Sequence, residues 1–200
     1  MGAAEQDLAI ACQCGSVRGR VRRVSADAGT HIICYCDDCQ AYARFLGRED
    51  ILDEWGGTQI MQLPPGRLEL DEGSAHVASA RLKPGGMIRF YASCCKTPIG
   101  NTVSAGVPFV GLFFEMFEDA DQAARAIGPV LFRYQCRFAR GDGPQGGLPT
   151  LPLRWWLRHG PKMLRAKLSR REARGPLYGN DGKPIAEPVL IEELAKSTQA

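Results

Sequence analysis

The sequence lacks the features that mark membrane-spanning, secreted and repeat proteins. No window approaches the run of about 18 apolar residues that a membrane helix needs. Residues 1–10 contain no basic segment followed by an apolar run, so we expect no secretory signal and a cytoplasmic location. The sequence also contains no internal repeat, which excludes solenoid and propeller architectures.

A strong excess of charge is absent as well. The 25 Lys and Arg residues stand against 22 Asp and Glu residues, and a net charge of +3 is too small to predict a specific nucleic-acid partner. A globular chain of this length buries enough surface to need no disulfides. In a reducing compartment, clustered cysteines are more often metal ligands than disulfides, so the eight cysteines become the main functional signal.

Three of these cysteines lie within six residues, at Cys34, Cys36 and Cys39. A Cys-x-Cys pair can chelate a metal from a bent loop, and a Cys-x-x-Cys pair can do so where a loop turns into a helix. Structural zinc takes four Cys or His ligands, and His31 is the nearest candidate for the fourth. The alternative is a position left open for water or substrate, as in catalytic zinc sites. Three thiolates with Zn²⁺ carry net negative charge, so an incoming ligand should be neutral or a soft thiol.

Two cysteine pairs far apart in the sequence form a second candidate zinc site, Cys12 with Cys14 and Cys94 with Cys95. Adjacent residues on a strand point to opposite faces. Cys94 and Cys95 can therefore bind one metal together only if the backbone turns sharply between them. The alternatives are that Cys95 binds without Cys94, or that the two form a vicinal disulfide.

Apolar and alternating runs predict many strands and few helices. The predicted strands are residues 8–11, 16–24, 31–34, 58–63, 67–70, 76–83, 87–91, 109–114 and 130–138. A short helix is predicted after Cys36, because Asp37 and Asp38 suit a helix start and Gly47 a helix end. Another is predicted over residues 119–127. Cys136 falls on the apolar face of the last predicted strand, which indicates a buried core thiol.

The glycine- and proline-rich residues 141–150 predict a linker between a domain at 1–140 and a basic helical extension with an extended tail at 151–200. Residues 151–174 carry eight basic residues and one acid. The leucines of this segment fall on one helical stripe, with an interruption predicted at Gly160-Pro161: Leu153, Leu157, Leu164 and Leu168.

The basic segment has two interpretations. In one, the helix lies on a membrane surface or on nucleic acid. In the other, it packs its Leu and Trp face on the domain and leaves its Arg face to solvent, which is the usual arrangement of an amphipathic helix.

The order of the cysteine motifs resembles the superfamily of glutathione-dependent formaldehyde-activating (GFA) enzymes and centromere protein V. The matching segments are Cys12-x-Cys14-Gly15, Cys34-x-Cys36-x-x-Cys39, Arg89-Phe90, Cys95-x-Thr97-Pro98 and Phe109-Val110-Gly111-Leu112. The resemblance covers residues 8–118 and, more loosely, 130–138. More narrowly, the chain resembles an uncharacterised bacterial branch of the superfamily in which the late cysteine motif reads Ala-Ser-Cys-Cys, as residues 92–95 do here.

The resemblance implies a mainly β fold of twisted antiparallel sheets with two zinc knuckle sites, a fold related to methionine sulfoxide reductase B. It implies one short helix after the CxCxxC motif, and the helical extension lies outside the superfamily core. Two roles are implied for the cysteines: a structural zinc on Cys12, Cys14 and the late knuckle, and a catalytic zinc on Cys34, Cys36 and Cys39. The late knuckle of the superfamily normally reads Cys-x-x-Cys-Gly, and residues 92–96 occupy that place here. The chain departs from this motif, because Ala92 replaces the first Cys and Lys96 replaces the Gly.

The founding enzyme of the superfamily joins the glutathione thiol to formaldehyde, with zinc lowering the thiol pKa. The sequence thus predicts either a carbon–sulfur lyase-type zinc enzyme acting on an adduct of glutathione or another small thiol, or a non-catalytic zinc-stabilised binding module whose basic C-terminal helix contacts a partner. A methionine sulfoxide reductase is disfavoured, since Cys136 on a packed face is a poor nucleophile. Tyr35, Arg44 and Tyr91 either line a substrate pocket, or the tyrosines pack and Arg44 is solvated.

Overall fold

The computed structural model describes residues 5–169 and 173–191, which form two β-sheets and three α-helices. The strands are β1 (Gln6–Ala11), β2 (Arg18–Val24), β3 (Thr30–Cys34), β4 (Thr58–Leu63), β5 (Leu68–Glu72), β6 (Val77–Arg81), β7 (Ile88–Ala92), β8 (Pro98–Thr102), β9 (Val110–Phe113), β10 (Phe132–Tyr134) and β11 (Val189–Leu190). The helices are α1 (Asp37–Leu46), α2 (Ala120–Ile127) and α3 (Leu153–Leu168).

The smaller sheet has the order β1-β2-β5 and is antiparallel throughout. The larger sheet has eight strands in the order β10-β3-β4-β9-β8-β7-β6-β11. Its six central strands pair antiparallel, whereas β10 runs parallel to β3 and β11 runs parallel to β6. The predicted mainly β fold is confirmed, but the large sheet is mixed at its two edges.

Both faces of the large sheet are covered. Along β4, Met61 and Leu63 point into a core shared with the small sheet, and Ile60 points into a second core with α1 and α3. This alternation follows from the period of two along a strand. Cys12 belongs to the first core, and Cys34 and Cys39 belong to the second. The two cysteine clusters are therefore built on opposite faces of the large sheet.

The strand–knuckle–helix prediction around Cys36 is confirmed. Cys36 is the N-cap of α1 and has extended backbone, and its Sγ accepts a hydrogen bond from the backbone N–H of Cys39 at 3.4 Å. Asp37 and Asp38 occupy the first turn, where carboxylates interact favourably with the helix dipole. Gly47 ends the helix in the left-handed conformation that glycine adopts without strain.

The strand predicted over residues 130–138 is wrong beyond Tyr134. Gln135 has a φ of 60°, and a 3₁₀ turn over Cys136–Phe138 follows. Cys136 is only partly buried, so the prediction of a core thiol is also wrong. The chain leaves the strand here because Gln135 is left-handed, and the Cys136 N–H that follows donates to the carbonyl of Leu148 at 3.0 Å.

The predicted linker is hydrogen-bonded to the sheet. The Leu148 N–H donates to the carbonyl of Arg133 at 2.8 Å, and Leu148 forms a parallel bridge with Tyr134. The Gly/Pro segment therefore pairs with β10 before α3 begins. The division of the chain into independent units at 1–140 and 151–200 stays a prediction.

One prediction about the basic helix is wrong, and one of its two interpretations, with the leucines packed on the domain, is contradicted. Helix α3 runs without interruption through Gly160-Pro161, and its leucine stripe faces outward. The side that packs on the sheet contains Trp155, His159 and Ala166, which are 0–6% exposed. The indole N–H of Trp155 donates to Gln62 Oε1 at 2.8 Å, so this buried ring keeps its hydrogen bond. Among the described residues, no helix has the length and apolar character needed to cross a bilayer.

Gly73 provides a test of the packing between the turn before β2 and the turn after β5. Its φ is 77°, and a Cβ there would lie 1.9 Å from the Ser16 carbonyl oxygen. We expect Gly73→Ala to lower the free energy of unfolding by about 3 kcal/mol, because left-handed strain adds to a backbone clash. Gly85 has a similar φ of 69° with no atom within 4 Å, so Gly85→Ala should cost only about 1 kcal/mol. Urea denaturation of both variants measures the difference, and equal losses would contradict the clash.

Candidate metal centres

The three-cysteine cluster, Cys34, Cys36 and Cys39, forms where β3 passes into α1. Each residue offers one sulfur, and the three sulfurs lie within 4.8 Å of one another. The Sγ atoms of Cys34 and Cys36 are 3.3 Å apart. Cys34 and Cys39 are buried and Cys36 is partly exposed. Strand end, N-cap and first helical turn thus bring three thiols together over six residues.

The thiols of this cluster share their protons unequally. The Cys34 and Cys39 thiols hydrogen-bond to Cys36 and lower its pKa to about 3. Donation to Cys36 raises the pKa of Cys34 to about 12, and the bond to Cys34 holds the pKa of Cys39 well above its usual value. Cys36 is therefore the thiolate of the cluster, and it is stabilised by hydrogen bonds from the other two thiols. Because metal binding requires deprotonated thiols, a divalent cation would displace these two protons.

His31 does not supply a fourth ligand, so of the two alternatives left open by the sequence, the site closed by His31 is not the one observed. Its Nδ1 lies 3.0 Å from the carbonyl oxygen of Gly128 and its Nε2 lies 3.2 Å from Gln59 Oε1. The ring stacks on Phe114 with centroids 4.7 Å apart, in the core between the sheets. His31 and Cys34 are three residues apart on β3 and so face opposite sides of the sheet. His31 is a buried core histidine with both nitrogens hydrogen-bonded.

A cavity of about 430 Å³ opens beside the three-cysteine cluster, and all three cysteines line it. Among the described residues, no His, Asp, Glu or further Cys places a ligand atom in the cluster. The other lining side chains are mostly polar or charged: Asp37, Asp38, Gln62, Lys83, Arg89, Asn101, Tyr134, Gln135 and Arg137. A fourth coordination position here would face a solvent-filled space of substrate size.

Arg89 is the least expected residue of this lining. Its side chain is 2% exposed, and its Nη2 lies 3.6 Å from Asp38 Oδ2. Its guanidinium also lies over the Tyr42 ring, at 5.7 Å from the centroid. Its Nε has no hydrogen-bond partner within the described part of the chain. A buried cation beside three thiols favours their anionic forms, and it helps to lower the pKa of Cys36 after the bonds from the other thiols.

The residues predicted to line a pocket do not line this cavity. Tyr35 is buried and its hydroxyl donates to Asp53 Oδ2 at 2.8 Å. Tyr91 packs edge-on against Phe45 at 5.8 Å, and Arg44 is exposed. The packed-and-solvated alternative is the one observed. Four lining residues come from other strands and turns, and no sequence pattern joins them to the cluster: Lys83, Asn101, Tyr134 and Arg137. Arg89 differs, because it lies in a segment that resembles the superfamily.

The four-cysteine cluster consists of Cys12, Cys14, Cys94 and Cys95, with all four sulfurs within 4.8 Å of one another. Cys14 and Cys94 are 3.2 Å apart, Cys12 and Cys14 are 3.6 Å apart, and Cys94 and Cys95 are 3.9 Å apart. A tetrahedral zinc site with Zn–S distances of about 2.3 Å has sulfur–sulfur edges of about 3.8 Å. The observed separations are close to that value, so the donor set fits a tetrahedral metal.

A sharp turn lets both Cys94 and Cys95 reach the cluster. After β7, the Lys96 N–H donates to the Ala92 carbonyl at 2.8 Å, and Lys96 has a φ of 60°. The turn brings the sulfurs of both adjacent cysteines to one cluster, which two neighbouring residues of a regular strand could not do. The Gln13 N–H donates to Thr97 Oγ1 at 3.0 Å and ties the two cysteine turns together.

Comparisons with known proteins give a family for the chain and a distant structural likeness. No curated protein matches the chain in sequence. A solved structure, the crystal structure of a Rhodobacter sphaeroides protein that was a structural genomics target, is similar with 12% identity and a TM-score of 0.44. That likeness covers 62% of this chain and 97% of the other. The model of the family of unknown function DUF6151 matches residues 5–189. Since this match spans most of the 200 residues, the chain belongs to the DUF6151 family.

Proposed function

We propose that the protein is a zinc-binding, GFA-like enzyme of the carbon–sulfur lyase type, acting on the aldehyde adduct of a small thiol such as glutathione. The observation that carries this proposal is the open side of the three-cysteine cluster. Three thiols converge, His31 is occupied elsewhere, and the cluster lines a cavity of about 430 Å³. A purely structural zinc would be expected to have four protein ligands.

The proposed reaction forms a carbon–sulfur bond between a thiol and an aldehyde. Zinc bound by Cys34, Cys36 and Cys39 would supply Lewis acidity that favours the thiolate form of the substrate. The thiolate sulfur attacks the carbonyl carbon, the C=O π bond breaks, and the oxygen takes up a proton. The proton lost from the substrate thiol balances the one gained by the oxygen. The reverse reaction releases aldehyde and thiol.

Cations around the cavity support an anionic thiol as substrate. Lys83 and Arg137 are exposed at its rim, and Arg89 is buried beside the cluster. Carboxylates of a substrate would pair with the rim cations, and the planar guanidinium of Arg137 can bind one bidentately. Asp37 lines the same cavity and offers a partner for an ammonium group, whereas Asp38 is paired with Arg89 and Lys83. A peptide-like thiol with both charges, such as glutathione, matches this lining.

Tyr134 is placed to assist the oxygen of the aldehyde. It lines the cavity, and burial holds the pKa of its hydroxyl well above its usual value. The hydroxyl therefore stays protonated at neutral pH and can donate a hydrogen bond to the oxygen as negative charge develops on it. The proposal gives Tyr134 the role of an oxyanion donor.

The proposal is tested by exchange NMR of glutathione with formaldehyde, with the zinc-loaded protein added. We expect the wild type to accelerate formation of S-hydroxymethylglutathione, and Cys36→Ser to lose at least about tenfold of this rate while keeping its fold, because one of three metal ligands is removed. Cys136→Ser is the matched control, since Cys136 belongs to neither cluster. No acceleration by wild type, or equal rates for wild type and Cys36→Ser, would reject the enzyme.

The alternative function is a non-catalytic zinc-stabilised binding module whose basic C-terminal helix contacts a partner. The observation that favours it is the outward-facing leucine stripe of α3, whose residues are 61–78% exposed. The cavity and the leucine stripe are formed by different residues, so the stripe alone does not decide between the two functions.

A further inference from the structure

The exposed face of α3, formed by five large apolar side chains, is the most concentrated apolar surface among the described residues. These are Leu153 (73% exposed), Trp156 (56%), Leu157 (70%), Leu164 (61%) and Leu168 (78%). Ten large apolar side chains of the described residues are prominently exposed, and five of them lie on this one helix. Contiguous apolar surface of this kind marks an interaction site.

The opposite side of α3 is anchored, so the exposed face has a defined direction. Trp155 hydrogen-bonds to Gln62 of β4 at 2.8 Å and stacks on His159 with centroids 4.2 Å apart. Ala166, two turns further along the same side of the helix, is fully buried. The leucines cannot turn inward without breaking these contacts.

Basic side chains border the exposed face, and the helix contains no acid. At 100° per residue, the four leucines fall within a stripe of about 60°. Arg154 and Arg165 follow on one side of that stripe, and Lys167 lies on the other; all three are exposed. Long basic side chains beside an apolar stripe can place their charges in the headgroup region while their methylene stems lie along it.

We propose that α3 docks on the surface of a membrane containing anionic phospholipids, with the exposed face inserted at the level of the headgroups. The combination of a Leu/Trp face with Lys/Arg borders is the chemistry of an interfacial helix. A nucleic acid would require cations at the centre of the face, where this helix has leucines. A second copy of the chain would bring the basic borders of the two helices together, which like charges oppose.

The proline supports the outward orientation. Pro161 has no N–H, so the carbonyl of Leu157 loses its intrahelical hydrogen bond. Leu157 lies on the exposed face, where water or a headgroup can satisfy that carbonyl. The exposed face therefore suits an environment with water or lipid headgroups, which can bond to this carbonyl, better than a dry protein interior. This inference does not depend on zinc or on the proposed reaction.

Vesicle co-sedimentation tests the docking. We expect the zinc-loaded full chain to bind vesicles of phosphatidylcholine with phosphatidylserine about a hundredfold more tightly than vesicles of phosphatidylcholine alone, because three basic side chains reach the surface. Leu157→Glu/Leu164→Glu should lower binding to the anionic vesicles at least about tenfold. The matched control is Val103→Glu/Ile185→Glu, which adds the same charges at exposed apolar residues outside α3 and should bind as wild type does.

Tryptophan fluorescence gives a second readout from the helix itself. Trp156 is 56% exposed and Trp155 is buried, so membrane docking should shift the emission of Trp156 to the blue. Trp156→Phe should abolish the shift and retain most of the binding. Equal binding to neutral and anionic vesicles, no binding to either, or a dimer in solution that the Leu157→Glu/Leu164→Glu change dissociates would overturn the proposal. Binding of RNA in place of vesicles would also overturn it.

Discussion

Replacing Cys94 and Cys95 together with serine is expected to remove one zinc ion per chain and to lower the melting temperature by roughly 8–16 °C. Free zinc at about 1,000 times its Kd contributes about 4 kcal/mol to the folded state. A domain of this size shifts by roughly 2–4 °C per kcal/mol. The loss is large because this cluster joins the turn after β1 to the turn after β7, which are 80 residues apart at Cys14 and Cys94.

Metal analysis and calorimetry distinguish this effect from simple loss of packing. The wild type should hold two zinc ions, and both Cys94→Ser/Cys95→Ser and Cys36→Ser should hold one. Cys136→Ser, outside both clusters, should keep two. After chelation, wild type and the double variant should melt at nearly the same temperature, since the difference comes from the ion. If the difference persists in the chelated proteins, the cluster does not owe its stabilising effect to a metal.

The single variants show which cysteine of the late turn is a ligand. The turn at Lys96 brings both sulfurs to the cluster, with Cys94 at 3.2 Å from Cys14 and Cys95 at 3.1 Å from Thr97 Oγ1. If four cysteines bind the ion, Cys94→Ser and Cys95→Ser should weaken zinc binding to a similar degree. If Cys95 binds without Cys94, only Cys95→Ser should weaken zinc binding.

Local sequence patterns predicted the parts of the fold that depend on neighbouring residues. The helix at Asp37–Leu46 follows from its caps, and the three-cysteine cluster follows from spacing alone, because both are formed within a few residues. The cavity residues were not predictable in this way. Lys83, Arg89 and Arg137 reach one space only through the order of strands in the large sheet, and no short-range pattern carries that order.

The errors share a physical cause. A hydrophobic pattern in the sequence shows that a strand or helix has an apolar side, but it does not show what packs against that side. Residues 130–138 alternate in the sequence, but the left-handed Gln135 and the 3₁₀ turn after it end the strand at Tyr134. On α3, the leucine stripe was identified correctly and its direction was wrong. Trp155 packs inward instead, since a buried indole with a hydrogen-bond partner covers more surface than a leucine.

Replacing the buried Arg89 with methionine is expected to weaken zinc binding at the three-cysteine cluster by about 10- to 100-fold and to leave the other cluster unchanged. Changes beside a metal's own ligands typically have effects of this size. Three thiolates with Zn²⁺ carry a net negative charge, and Asp38 adds another nearby. Arg89, 3.6 Å from Asp38 and 2% exposed, is the cation buried beside them. Without it, the ligand thiols are harder to deprotonate in this low-dielectric site.

The same substitution should change the stability of the metal-free protein by about 1 kcal/mol or less, which separates an electrostatic role from a structural one. Burial of Arg89 already has a cost, because its Nε lacks a hydrogen-bond partner in the described structure. Asp38 stays partly solvated and keeps Lys83 at 3.9 Å, so removal of Arg89 does not strand a buried anion. Competition with a zinc chelator measures the affinity, and Arg44→Met on the exposed side of α1 is the control. Equal zinc affinity in Arg89→Met and wild type would show that the thiolates need no cation beside them, whereas a large loss of stability without metal would make Arg89 a packing residue.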